Sequence, residues 1–257
     1  NIVTRKSNKA EPMARRMSSP WRNVGDADKE RASKKEAVLR TAAQIFNEKG
    51  FQATTLDEVA ARLNVSKPTL YYYVKSKDDI LFECVHIGLT MVQDAIATVE
   101  AKGGRAVDKL VAAMMQYAEI VTMDFGMCII RVGEDPLPKA ERAKLRRMKA
   151  KIDHEFRRLI EEGIAEGSIA PCDARIAAFT IGGALSWIGR WYRPDGELGQ
   201  KDIARHMILL LTKGLCSRDP HFRDAGQALF DDAQEHATQA APSRVAKANT
   251  NKRTGGR

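Results

Sequence analysis

The stretch from Thr54 to Lys77, Thr-Thr-Leu-Asp-Glu-Val-Ala-Ala-Arg-Leu-Asn-Val-Ser-Lys-Pro-Thr-Leu-Tyr-Tyr-Tyr-Val-Lys-Ser-Lys, restricts the fold more than any other part of the chain. It reads as two short helices joined by a tight turn, with a third helix starting directly afterwards. Thr55 is placed to cap the first helix, and Glu58, three residues on, stands at the capping-box spacing. Leu56, Val59, Ala60 and Leu63 fall on one helical face. Asn64-Val65 makes the turn, since Asn tolerates a left-handed backbone. Ser66 is a second N-cap, and Pro68 is acceptable in a first turn. The residue before a proline disfavours helical angles, so the helix starts at either Lys67 or Pro68. Arg62, Lys67, Lys75 and Lys77 are basic, no acid lies between Val59 and Lys77, and Tyr71, Tyr72 and Tyr73 interleave with them. Two short helices with this surface chemistry form a helix-turn-helix of the kind that enters a DNA groove. Three consecutive helical tyrosines cannot share one face, so at least one points outward.

Upstream, Val38, Leu39, Ala42, Ile45 and Phe46 form a helical stripe within residues 28–49, and Gly50 is the expected stop. Phe51 is expected to fold back onto that stripe. The predicted unit, residues 28–76, has three helices around Val38, Ile45, Phe46, Val59, Leu63 and Leu70.

Few aromatics and prolines, with long stretches of Ala, Leu, Glu, Lys and Arg, point to an all-α protein. The formal charge of +9 does not belong to this body. Arg5, Lys6, Lys9, Arg15, Arg16 and Arg22 stand against Glu11 at one end, and Arg244, Lys247, Lys252, Arg253 and Arg257 stand unopposed at the other. Without these tails the chain is close to neutral, so the local cluster at 59–77 is the better evidence for an anionic partner. Residues 1–27 read as a basic disordered arm, either inert or adding phosphate attraction; residues 219–257 read as a marginal helix and disordered basic tail. No apolar run approaches the ~20 residues of a membrane span, and no apolar signal region opens the chain. Cys84, Cys128, Cys172 and Cys216 recur every 44 residues, but their flanks share nothing and no Cys-x-x-Cys pair occurs, so reduced thiols in a cytoplasmic protein are expected.

From 77 to 218 the pattern is a series of helices. Ser76 caps one running to about Ala101; others cover about Ala106–Thr122, Phe125–Val132, Lys139–Glu166, Asp173–Trp191 and Lys201–Leu215. The fourth of these carries Lys139, Arg142, Lys144, Arg146, Arg147, Lys149, Lys151, Arg157 and Arg158, a solvated face or one that meets an anionic ligand or a DNA backbone. Gly182-Gly183 weakens the following helix by about 1 kcal/mol each relative to Ala, which suggests a close helix–helix approach. The last helix is apolar nearly all round and needs cover on more than one side, most simply from a second copy of the chain. Phe179, Gly183, Ile203, Met207, Leu210 and Leu211 are the candidate dimer contacts. His86, His154, His206, His221 and His236 lack metal spacing, and there is no Gly-x-Ser-x-Gly, phosphate loop or dinucleotide fingerprint, so neither an enzyme nor a cofactor is expected.

The run Lys34-Lys-Glu-Ala-Val-Leu-Arg…Ile45-Phe46…Gly50-Phe51…Thr54-Thr55-Leu-Asp-Glu-Val-Ala…Leu63-Asn-Val-Ser-Lys-Pro-Thr-Leu-Tyr-Tyr-Tyr-Val-Lys-Ser-Lys-Asp-Asp-Ile-Leu81 closely resembles the N-terminal domain of TetR/AcrR-family transcriptional regulators. The resemblance implies a homodimer that binds a palindromic double-stranded operator, usually as a repressor released by a small ligand. It places Thr55, Tyr72 and Lys77 on phosphates, and Ser66, Lys67, Pro68, Thr69 and Tyr71 in or beside the major groove. Tyr73 stands where the family commonly has His. Farther on, Asp173…Ile181-Gly-Gly-Ala-Leu…Trp187-Ile…Arg190-Trp-Tyr-Arg-Pro-Asp-Gly196 resembles the ligand domains of members that control fatty-acid, steroid or aromatic-acid breakdown. Members of that group sense acyl-CoA thioesters, which implies an effector of that class or another apolar or aromatic ligand. Trp187, Arg190 and Trp191 are then the candidate ligand contacts, with Arg190 or the basic helix meeting phosphates.

Overall fold

The structure is a computed structural model that describes residues 27–213. Both tails, with Leu215, Cys216, His221 and His236, lie outside the described residues.

Nine helices and no strand occur among the described residues: α1 Ala27–Lys49, α2 Leu56–Leu63, α3 Lys67–Tyr71, α4 Lys77–Lys102, α5 Ala106–Ile120, α6 Asp124–Arg131, α7 Lys139–Ala165, α8 Ala174–Trp191 and α9 Gln200–Lys213. The all-α expectation and the helix order are met. Capping residues set most of the starts: the side chains of Thr55, Ser66, Ser76 and Asp173 accept from the backbone N–H groups of Glu58, Thr69, Asp79 and Ile176. The first box is only half formed, because the Glu58 carboxylate turns to Lys49 at 2.6 Å. Gly50 ends α1 at φ +85°, and Asn64 closes α2 at φ 55°, the left-handed angle its residue type permits.

Val38, Ile45, Phe46, Val59 and Leu70 are buried as expected, while Leu63 is only half-buried. Around α4 the rest of the bundle assembles, with α1, α5, α6 and α7 packed against it. By length and composition α4 would pass for a membrane span, contrary to the sequence reading, but it buries Ile80, Leu81, Cys84, Val85, Leu89, Val92, Ile96 and Val99 against those neighbours. It is a core helix. Cys84 and Cys128 are buried and Cys172 is exposed, and burial pushes Cys128 up to about 12 and Cys84 upward as well.

The close approaches are not at Gly182-Gly183. A Cβ at either would meet nothing within 4 Å, because this part of α8 faces open space. Glycines that approach a neighbouring backbone most closely are Gly88, where a Cβ would lie 2.7 Å from the Phe125 carbonyl, Gly189, 2.8 Å from the Val121 carbonyl, and Gly126, where it would run into the Ile120 carbonyl. All three seat α6 or the turn before it. Periodicity marks glycines that weaken a helix; it does not say which of them touches a neighbour.

α9 is not apolar on every side in the same sense. Ile203, Ala204 and Ile208 are buried within the chain, which removes Ile203 from the candidate dimer contacts; Met207 and Leu211 are half-buried and Leu210 is exposed.

These glycines give a direct stability test. Gly126→Ala is expected to destabilise by about 1–3 kcal/mol through overpacking, whereas Gly182→Ala should stabilise by up to about 1 kcal/mol by restricting the unfolded helix backbone. Urea unfolding of both variants checks this; shifts of the same sign would contradict the packing described.

Candidate nucleic-acid interface and core cavity

Leu70 and Val74 anchor α3 and its exit in the core, so the opposite side of the short helix must face outward. Ser66, Lys67, Pro68, Tyr71 and Tyr72 are exposed and Thr69 is half-buried; the two tyrosines expose 47% and 64% of their surface. Thr55 is exposed at the start of α2. The exposed sequence-selected residues thus lie at the starts of α2 and α3 and at the C-terminal end of α3. Ser66 Oγ and Thr69 Oγ1 lie 2.8 Å apart, and Tyr72 stacks edge-on against Tyr73 beneath the Arg31 guanidinium, 5.2 Å from the ring centre.

The basic cluster is less free than its composition implies. Arg62 is held by Glu48 in a bidentate pair at 2.9 and 2.8 Å, which ties α2 to α1. Lys67 pairs with Asp57 at 2.8 Å; that hydrogen bond and charge raise its pKa. Lys77 is drawn inward: its ammonium donates to the carbonyls of Phe51 at 2.9 Å and Thr54 at 3.1 Å, and lies 4.3 Å from the centre of the Phe51 ring. It thus closes the α1–α2 loop, where the buried Thr54 hydroxyl also donates to Gly50. No feature of the sequence pattern distinguishes such a lysine from one that is free.

Behind this surface lies α6, which sequence reading saw only as a short apolar segment. Its first residue accepts from α1: Gln44 Nε2 reaches Asp124 Oδ2 at 3.1 Å and Asn47 Nδ2 reaches the Asp124 carbonyl at 2.8 Å. Its last residue, Arg131, donates to the carbonyls of Gly189 at 2.8 Å, Tyr192 at 3.1 Å and Asn47 at 3.3 Å. Those carbonyls lie near the C-terminal ends of α8 and α1, where a cation is favoured. Burial and then Arg190 push the Arg131 pKa down.

The other side of α6 faces a cavity of about 270 Å³ enclosed with α4, α5, α7 and α8. Leu89, Val92, Val121, Ile129, Ile130, Ile152 and Phe156 make an apolar wall, and the Tyr117 and Ser186 hydroxyls pair across it at 2.7 Å. Burial raises the Tyr117 pKa despite that bond, so the phenol stays neutral. Lys149 and Asp153 of the basic helix α7 are the charged residues on the wall, and Gly182-Gly183 leave one side open. Trp187, Arg190 and Trp191 do not line this cavity. Trp187 is 61% exposed, while Arg190 and Trp191 border a separate groove of about 720 Å³ beside α1 and α6. Phe179 of α8, though 52% exposed, does line the core cavity.

Phe179 and Gly183, at the open edge of the cavity, are exposed together with Ile176 and Trp187, a seam at helical spacing. On α7 much of the positive charge is paired: Arg158 with Glu100, Glu155 and Glu162, Arg157 with Asp153, and Arg146 with Glu134 and Asp135.

Known proteins place the chain. Residues 38–84 match the family model described as bacterial regulatory proteins, tetR family, and residues 103–215 match the tetracyclin repressor-like C-terminal domain. The chain is 27% identical over 186 residues to the uncharacterized HTH-type transcriptional regulator YhgD of Bacillus subtilis, covering 71% of this chain and 96% of that one. It is 22% identical over 198 residues to the HTH-type transcriptional repressor KstR2 of Mycolicibacterium smegmatis, covering 74% and 94%. The crystal structure of AibR in complex with isovaleryl coenzyme A and operator DNA superposes with a TM-score of 0.63 at 26% identity, covering 70% of this chain and 98% of that one. With a helix-turn-helix at one end and a helical cavity domain matched at the other, the chain belongs to the TetR family of bacterial transcriptional regulators.

Proposed function

We propose that this chain is a cytoplasmic repressor that binds a palindromic operator as a homodimer and lets go when a small effector fills the cavity beside α6. One observation carries the reading: the helix whose Ile129 and Ile130 line the cavity is the helix whose Asp124 and Arg131 hold α1. Residues 28–76 then form the DNA-binding part and 77–218 the ligand-binding and dimerisation part. Thr55, Tyr72 and Lys77 meet phosphates and fix the register; Ser66, Lys67, Pro68, Thr69 and Tyr71 lie in or beside the major groove. Lys67 leaves Asp57 to reach guanine acceptors, and the Thr69 methyl meets a thymine methyl. The exposed seam of Phe179 and Gly183 supports the second copy.

The effector class that fits best is an acyl-CoA thioester. An apolar cavity of about 270 Å³ suits an acyl group, and the basic α7 along its edge suits the phosphates outside, better than the outward-facing Trp187, Arg190 and Trp191 do. The isovaleryl coenzyme A bound by AibR supports the same class. A second reading, another apolar or aromatic ligand, is favoured by the modest volume. In a thermal-shift series, an acyl-CoA should raise the midpoint and release labelled operator over the same concentration range. No response to acyl-CoA, fatty acid or aromatic acid would instead favour a ligand-independent DNA-binding protein.

Substitutions separate the roles on the DNA side. Tyr72→Phe removes a phosphate hydroxyl and should weaken all duplexes about equally, by roughly 3- to 10-fold, while Thr69→Ala should change the preferred base at one position in a binding-site selection. Wild-type behaviour from both would remove α3 from the interface. Lys77→Met should flatten the salt dependence by about one counterion. It should also lower stability by about 1–2 kcal/mol, because the Phe51 and Thr54 carbonyls lose a charged donor; unchanged unfolding with an altered salt slope would show that the loop does not need it.

A further inference from the structure

Glu134 is the one charged residue that is buried among the described residues, with 8% of its surface exposed. It sits in the loop between α6 and α7, three residues past Arg131, and its carboxylate is held by Lys149 and, at 3.3 Å, by Arg146. Burial alone would push its pKa up; the bond and charge of Lys149 outweigh that and hold it below the usual carboxylate range. Lys149 faces two ways. It is the only basic side chain among the residues lining the core cavity, and 36% of its side chain is exposed, so its ammonium has room to move. Asp153, the other charged group on that wall, is already neutralised by Arg157 at 2.6 Å. The cavity is otherwise apolar, apart from the Tyr117–Ser186 hydroxyl pair.

We infer that Glu134 is a resident anion on Lys149, and that the effector is an apolar molecule whose own anionic group takes Glu134's place there. This rests on the effector reading above. Before the effector arrives, the buried pair pins the α6–α7 loop, in which the N–H of the buried Leu137 donates to the Glu134 carbonyl at 3.0 Å. When the effector anion takes Lys149, Glu134 is left buried with Arg146 alone and turns out to water, because a buried charge short of a partner is strongly disfavoured. The loop leaves with it, and the C-terminal end of α6, which carries Arg131 and its bond to the Asn47 carbonyl of α1, loses its support. A neutral molecule of the same shape fills the cavity without breaking the pair. The anion can be the carboxylate of a free acid or a phosphate of its CoA thioester; both offer the same chemistry to an ammonium.

The test uses the full-length chain, a selected operator, and octanoate, octanoyl-CoA and octanol as probes. Wild type should release the operator with octanoate or octanoyl-CoA, the better of the two identifying the source of the anion, and should keep it with octanol. Lys149→Met breaks the pin without any probe: operator affinity should fall about tenfold, and amide exchange in residues 133–137 should accelerate. Glu134→Gln removes the competing anion and should bind the acidic probe about tenfold more tightly than wild type. The double variant, Glu134→Gln with Lys149→Met, leaves no buried charge and guards against misfolding; it should bind octanol and octanoate alike. Equal release by octanol and octanoate, or operator affinity and loop exchange unchanged in Lys149→Met, would overturn the exchange. If none of the probes binds wild type, the effector reading fails, while the tenfold loss in Lys149→Met still establishes the Glu134 pin.

Discussion

The seating of α6 is the constraint on which the rest depends. It is a helix of eight residues, too short to be stable by itself, so its neighbours must hold it. They do so in three ways. Gly88, Gly126 and Gly189 allow backbone-close packing at its start and along its sides; Asp124 receives Gln44 and Asn47 from α1; and Arg131 gathers carbonyls from α1 and α8. The Asp124 and Arg131 bonds tie α6 to α1, and α1 carries α2, which in turn carries α3. A short element fixed by polar bonds at both ends and lining an apolar cavity between them is well placed to transmit a change at one side to the other, because packed elements shift between discrete arrangements rather than deforming continuously.

The electrostatics follow a common plan. Several cations are neutralised near where they stand: Arg62 by Glu48, Lys67 by Asp57, and Arg158 by three carboxylates. Such exposed pairs contribute little stability and are easily exchanged. On α3 that suits the proposed move of Lys67 from Asp57 to a base. Glu134 differs because it is buried, so losing its partner has a consequence for the fold that losing a surface partner does not.

How much of this was legible in the sequence depended on which signal carried each feature. Helix order was legible, since apolar spacing and capping residues such as Thr55, Ser66, Ser76 and Asp173 act locally. So was the turn at Asn64, where one backbone angle calls for one residue type. The inward lean of Lys77, the pairing of Lys67 and the burial of Glu134 were not, because each depends on which carbonyl or carboxylate the fold brings within reach. Gly182-Gly183 misled for the same reason: the absent side chains bordered a space, not a neighbour. That Trp187, Arg190 and Trp191 do not line the core cavity was not legible either, because an aromatic and cationic helix end looks alike from either side and only packing decides which side faces in.

The proposed repressor must bind DNA at a specific sequence as a two-fold symmetric assembly. Incubating the 257-residue chain with sheared genomic fragments, and sequencing those that remain bound at physiological salt, tests this. The bound fragments should share an inverted repeat whose half-sites are centred about one helical turn, or a multiple of it, apart, with mutation of either half abolishing retention. Recovery of fragments that share no sequence and are retained no better than bulk DNA would contradict it.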